Sequence, residues 1–175
     1  MKQTIGLLGG ECTGKTTLAK ALCGHLDAVL VPEYLREFVV DMGRVPTSLE
    51  QAGIMGTQVA AEATAMTGIS PEKLVVCDPA ALMTAIYSMA YFNDRSLLEP
   101  ATLHAMTYGT LIWCGTDIPW EPDGDQRDGP EYRALVDSLI GEVVRDTLEP
   151  AGITVHRIDG PVSDRLLAVL QLLER

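Results

Sequence analysis

Gly9-Gly10-Glu11-Cys12-Thr13-Gly14-Lys15-Thr16 stands between an apolar run, Thr4–Leu8, and a helix-like segment that continues Thr17-Leu18-Ala19. The stretch matches G-x-x-x-x-G-K-[ST], the phosphate-binding loop. Each residue type meets a physical demand. Glycines let the chain curl so that successive N–H groups point inward at an anion. The helix that follows opens with N–H groups lacking intrahelical partners and with the positive end of its dipole. Lys15 is spaced to reach the β- and γ-phosphates, and Thr16 to ligate Mg²⁺ through its hydroxyl. Thr17 is a further candidate contact. A strand before and a helix after favour this reading over a glycine-rich turn with an incidental lysine. Gly9–Thr17 therefore predicts a nucleoside triphosphate site.

Outward from this loop the chain alternates strand and helix. Apolar runs at Thr4–Leu8, Ala28–Val31, Lys73–Asp78, Tyr108–Cys114 and Thr154–Ile158 read as strands buried on both faces, as in a parallel sheet. Helical segments are expected at Gly14–Leu26, Glu33–Met42, Ser48–Met66 with a cap at Thr47 or Ser48, Ala80–Tyr91, Glu131–Leu148 and Val162–Leu173. The pattern predicts an α/β three-layer sandwich in one domain spanning residues 1–175. Gly115–Tyr132 breaks the rhythm: it holds three prolines, three glycines and four aspartates with no period. An unstructured stretch of that length suggests a lid or binding loop.

Composition narrows the partners. Hydrophobic residues make up 47% and charged residues 21%, with a net charge of −11. The thirteen Lys and Arg form no cluster, which argues against nucleic acid as a partner. No apolar run is long enough to span a membrane, and no signal-peptide pattern opens the chain, so the expected location is cytoplasmic. Cys12, Cys23, Cys77 and Cys114 fit no zinc spacing, and Cys77 and Cys114 read as small buried hydrophobes. His25, His104 and His156 show no ligand spacing. Cys12 is either a tolerated small residue or an oxidation-sensitive one. A homo-oligomer is compatible with the sequence but not specified by it.

Three classes of phosphate-loop protein then compete. A GTPase would need an [NT]-K-x-D guanine motif, absent among four lysines. A mechanical ATPase usually ends a strand in Asp-Glu, whereas here LVVCDPA ends in Asp78-Pro79. Asp78 can hold Mg²⁺ through water, but no glutamate adjoins it. Phosphoryl transfer to a bound small molecule fits better, with a regulatory ATP-binding module as the non-enzymatic rival. Val31-Pro32-Glu33-Tyr34-Leu35-Arg36-Glu37-Phe38 begins at the carboxyl end of the second strand, where ligands bind in open α/β sheets. Glu33, Arg36 and Glu37 share a helix face. Glu33 is a candidate base or hydroxyl anchor and Arg36 a candidate clamp; an ordinary salt-bridge cluster is the alternative.

GGECTGKTTLAKAL, VPEYLREFV, VVCDPAALMTAIYSMAYF and DIPWEPDGDQRDGPEYR occur in the order and spacing that resemble the ribosylnicotinamide kinase domain of NadR-type proteins. The resemblance covers nearly the whole chain. It implies a P-loop kinase-like fold with a five-stranded parallel sheet and a lid at about 115–132. It implies transfer of the γ-phosphate of ATP, with Mg²⁺, to the 5′-hydroxyl of nicotinamide riboside, with another nucleoside or nucleotide as the alternative acceptor. Carried over, Gly9–Thr17 holds ATP, and Thr16 and Asp78 serve the metal. Glu33, Tyr34, Arg36, Asp78, Trp120 and Asp123 face the nucleoside-like acceptor. Arg127 stabilises the transferring phosphoryl. Lys15, Glu33, Asp78 and Arg127 form the expected catalytic set, with Glu33 and Asp78 competing as base. The chain departs from the pattern at Cys12, where relatives carry Ser. Asp125-Gln126 lengthens the lid motif, and no H-x-G-H nucleotidyltransferase signature is present. The pyridinium of such an acceptor would suit an acidic site, and Tyr34, Tyr87, Tyr91, Phe92 and Trp120 are candidate ring partners.

Lys15→Ala is expected to abolish triphosphate-dependent chemistry while leaving the far-UV circular dichroism unchanged. Full activity in that variant would overturn the cradle assignment.

Overall fold

The structure, a computed structural model, describes residues 4–68, 70, 73–121 and 129–174. Five short strands, β1 (Thr4–Leu8), β2 (Val29–Pro32), β3 (Val75–Asp78), β4 (Thr110–Cys114) and β5 (Val155–Ile158), pair in the order β2-β3-β1-β4-β5. Every pairing is parallel. β1 is central and buried at all five positions, so it can present only apolar or very small side chains. Its carboxyl end runs straight into the glycine loop.

Two cores flank the sheet. Ile5, Leu7, Val76 and Ile112 pack with Leu18 and Leu22 of α1 (Lys15–Leu26) and Val169 of α7 (Val162–Leu173). Leu8, Val75, Cys77 and Leu111 pack with residues of α3 (Gln51–Thr67), α4 (Leu82–Phe92), α5 (Leu98–Ala105) and α6 (Pro130–Val143). The alternation Ile5/Leu7 against Leu8, and Val76 against Val75/Cys77, is the period of two expected of strands with both faces covered. α2 (Tyr34–Met42) is the exception, since none of its side chains is buried.

The expected elements recur with shifted ends and one addition. α5 is absent from the sequence reading. Its Pro100 occupies the first turn, where a missing N–H costs nothing. The last long helix stops at Val143 and passes into a π-turn, Val144–Leu148, rather than continuing as one α-helix. β4 begins at Thr110, two residues later than expected. The long third helix opens with a 3₁₀ turn, Ser48–Glu50, whose Glu50 carboxylate accepts from both the N–H and the hydroxyl of Thr47 at 2.8 Å. Among the described residues no helix is long and apolar enough to cross a membrane.

Gly6 fixes how closely β1 approaches its cover. A Cβ there would lie 2.7 Å from Leu111 Cδ2, 3.0 Å from Ala80 Cβ and 3.1 Å from Tyr108 Cδ1. Gly6→Ala should therefore overpack the central strand and cost about 1–3 kcal/mol in a urea titration. An unchanged unfolding midpoint would mean that the contact has slack.

Candidate active site

The loop after β1 adopts the shape its glycines permit. Gly9 and Gly14 have φ of 144° and 78°, and Cys12 has φ of 53°. A Cβ at Gly9 would lie 2.7 Å from Thr13 Oγ1, and one at Gly14 would lie 2.8 Å from Ile118 Cδ1. Gly14 caps α1 without a side chain, and among the described residues no side-chain cap bonds the first turn. The first-turn N–H groups of α1 are thereby left for an anion, which is the fit a triphosphate requires. The Thr13 hydroxyl donates to Gly10 O at 2.8 Å, and Lys15 Nζ donates to the same carbonyl at 2.7 Å. Thr16 is half-buried on the first turn and Thr17 is exposed. Glu121 N–H donates to Cys12 Sγ at 3.4 Å.

Two arginines not singled out from the sequence hold this loop. Arg133, from α6, donates to Cys12 O at 3.2 Å and to Ile118 O at 2.8 Å. Arg165, from α7, is 1% exposed. It donates to Thr13 O at 2.6 Å, Gly160 O at 2.7 Å and Gly115 O at 3.4 Å, and pairs with Asp117. Asp117 in turn accepts the Gly160 N–H at 2.7 Å. Burial works against the Asp117 charge, but the Gly160 N–H and the guanidinium outweigh it and hold the carboxyl below its ordinary range. Burial pushes the nearby Cys114 thiol up to about 11, with Lys15 and Arg165 opposing.

The second half of the site lies at the ends of β2 and β3. Pro32 pairs in register with Asp78, so Glu33 and Asp78 leave adjacent strands at the carboxyl edge of the sheet. Glu33 is the residue that caps α2 and forms a 3.0 Å ion pair with Arg36 Nε. Asp78 is 7% exposed and is followed by a cis peptide to Pro79. A cleft is lined by Glu33, Leu35, Gln51, Gln58, Ala80 and Tyr87 among others. Burial raises the Tyr87 hydroxyl well above its ordinary pKa, and the charges of Glu33 and Glu11 add to the rise. Burial opposes the Arg36 charge, but its hydrogen bond to Glu33 and the fields of Glu33 and Asp78 raise its pKa overall. Glu11, Glu33, Arg36, Asp78 and Tyr87 thus form one electrostatic neighbourhood.

The remaining expected residues fall as follows. Tyr34 is half-buried and contributes its backbone N–H to Gln58, while Leu35 is the neighbour that lines the cleft. Glu37 is exposed. Trp120 is half-buried, and its indole N–H meets no acceptor among the described residues. Tyr91 stacks on Tyr132 with centroids 5.0 Å apart. Asp123 and Arg127 lie outside the described residues. Among the described residues no group of three or more His, Cys, Asp or Glu gathers for a metal. A single threonine hydroxyl and one carboxylate suit a Mg²⁺ that keeps most of its ligands as water and phosphate. Gln58, Arg133 and Arg165 escaped the sequence reading, because an arginine or glutamine within a helical segment carries no mark of its burial.

This geometry defines a P-loop kinase-like α/β protein. The chain belongs to the family described as AAA domain, whose profile matches residues 4–165. Among solved structures, NadR in complex with NAD and AMP-PNP aligns with a TM-score of 0.67 at 22% identity, covering 91% of this chain and 45% of that one. The chain thus spans less than half the length of NadR. Thymidylate kinase from Candida albicans aligns with a TM-score of 0.66 at 15% identity, covering 98% and 91%. Deoxyadenosine kinase from M. mycoides with bound dATP aligns with a TM-score of 0.64 at 11% identity, covering 98% and 100%. A search of curated proteins finds no match.

Arg165→Met would strip three carbonyls and Asp117 of their shared donor. The expected loss is about 3–5 kcal/mol of stability, the range for breaking a buried pair, together with weaker binding of a fluorescent ATP analogue. Wild-type affinity in the folded variant would show that the loop holds its shape unaided.

Proposed function

We propose that the protein is an ATP-dependent kinase for a nucleoside-like acceptor, with nicotinamide riboside as the preferred one. The observation that carries this reading is the registered pairing of Pro32 with Asp78. It puts two acidic residues at the same sheet edge as the phosphate loop, Glu33 lining the cleft and Asp78 preceding Pro79, which lines it. In the proposed reaction the acceptor hydroxyl oxygen forms a bond to the γ-phosphorus of ATP as the bond to the ADP oxygen breaks. The hydroxyl proton passes to Glu33 or Asp78 and then to solvent. Lys15 and the first-turn N–H groups of α1 would hold the phosphates. Thr16, with Asp78 acting through water, would hold Mg²⁺, which when bound neutralises charge on the transferring group.

Charge supports a riboside over a nucleotide as acceptor. Glu33 and Asp78 act on one guanidinium, Arg36, which is already paired with Glu33, while Glu11 and Glu33 act on Tyr87. Arg95, the other candidate partner for an acceptor phosphate, instead pairs with Glu142. A cleft of this sign favours a neutral or cationic ligand, and a pyridinium riboside is cationic.

The test is ADP release from ATP and Mg²⁺ with and without nicotinamide riboside, the product being weighed by mass spectrometry. Riboside-dependent release with a phosphorylated riboside is expected. ADP release that no nucleoside or nucleotide accelerates would overturn the kinase reading in favour of an ATP-binding module. Glu33→Gln is expected to lower turnover by about 10²–10⁴-fold, the usual contribution of a general base, with little change in ATP affinity. Unchanged turnover would move that role to Asp78.

A further inference from the structure

Among the seventeen residues of α3 only Glu62 is charged, and it is 0% exposed. An isolated carboxylate at such a depth costs several kcal/mol, so its partners indicate why it is there. Oε2 accepts the Tyr108 hydroxyl at 2.7 Å and lies 2.7 Å from His104 Nε2. Oε1 lies 3.5 Å from Gln58 Nε2 and accepts the Ala81 N–H at 3.2 Å, sharing it with the oxygen of the Tyr108 hydroxyl, 2.9 Å from the same nitrogen. Burial first, and then the Glu62 charge, pushes the Cys77 thiol far up. Gln58, one turn earlier and 3% exposed, accepts the Tyr34 N–H at 2.9 Å.

Each of these bonds falls beside a carboxylate of the cleft. Tyr34 follows Glu33 directly. Cys77 and Ala81 bracket Asp78 and its cis peptide to Pro79. Residues i and i+4 stand one above the other on a helix, so a single face of α3 grips the backbone at both acids. Core stability alone does not call for this arrangement, because apolar replacements of buried ionic groups are often as stable or more so.

We propose that Gln58 and Glu62 are positioning residues that fix where the Glu33 and Asp78 carboxylates stand across the acceptor cleft. Neither touches the reacting atoms; both act through backbone N–H groups. In its catalytic meaning this rests on the kinase reading above, so the test includes a measurement independent of activity.

Gln58→Met keeps the side-chain length and removes the acceptor for Tyr34. Glu62→Gln keeps the shape and turns part of an all-acceptor group into a donor. Each variant is expected to lose about 10–100-fold in kcat/KM for the acceptor, the scale of a displacement near 1 Å, while KM for ATP stays within about twofold. Amide exchange followed by NMR should accelerate at Tyr34 in Gln58→Met and at Ala81 in Glu62→Gln, with β1 protection retained. The proposal is overturned if ATP and acceptor constants worsen together. It is equally overturned if the melting temperature alone falls while the kinetics per folded molecule are kept. Should Glu62→Gln fail to fold, Gln58→Met decides the matter by the same two readouts. Should the wild-type protein phosphorylate no acceptor, the kinase reading falls by itself. Local exchange at Tyr34 and Ala81 then upholds the positioning claim, and uniform exchange overturns it.

Discussion

One guanidinium ties the nucleotide half of the molecule together. The loops that follow β1, β4 and β5 all leave the carboxyl edge of a parallel sheet, where carbonyl groups run out of ladder partners. Carbonyls cannot bond one another. Arg165 brings five donors in a rigid fork to the carbonyls of Thr13, Gly115 and Gly160, and Asp117 balances its charge. The phosphate loop is therefore shaped from two directions: glycines allow its curvature, and a side chain from the last helix holds it. Arg133 does the same from the other side through Cys12 O.

The half of the site around Glu33 and Asp78 is built on a different principle. Its frame is a buried acceptor side chain that draws in N–H, O–H and ring N–H groups from several elements. The two halves meet at the strand ends, where Cys114 lies in the fields of both Lys15 and Asp78. Lys15, Arg133 and Arg165 stand at the phosphate loop, and Glu33 and Asp78 at the ends of β2 and β3.

The glycine loop and the parallel sheet were readable because their signals are local. A strand buried on both faces must be continuously apolar, and a chain that wraps an anion must carry glycine where φ is positive, as Gly9 and Gly14 do. Glu33 and Asp78 were readable by position, as acids at strand ends. Arg165 and Glu62 were not. Each sits in a helical pattern in which one charged residue looks like any other on a wet face, and only the tertiary fold turns it inward. α5 was missed as well, a short helix with Pro100 in its first turn.

α2 is held differently from the helices opposite it. It forms one wall of the acceptor cleft through Glu33 and Leu35, yet it buries no side chain, and Val40 on it is 80% exposed. A helix with so few buried contacts opens at low free energy compared with the core around it. The opposite wall, from α3 and α4, is packed into the larger core. α2 is thus the loosely held wall of the cleft, and the side that carries Gln58 and Tyr87 is the firmly packed one.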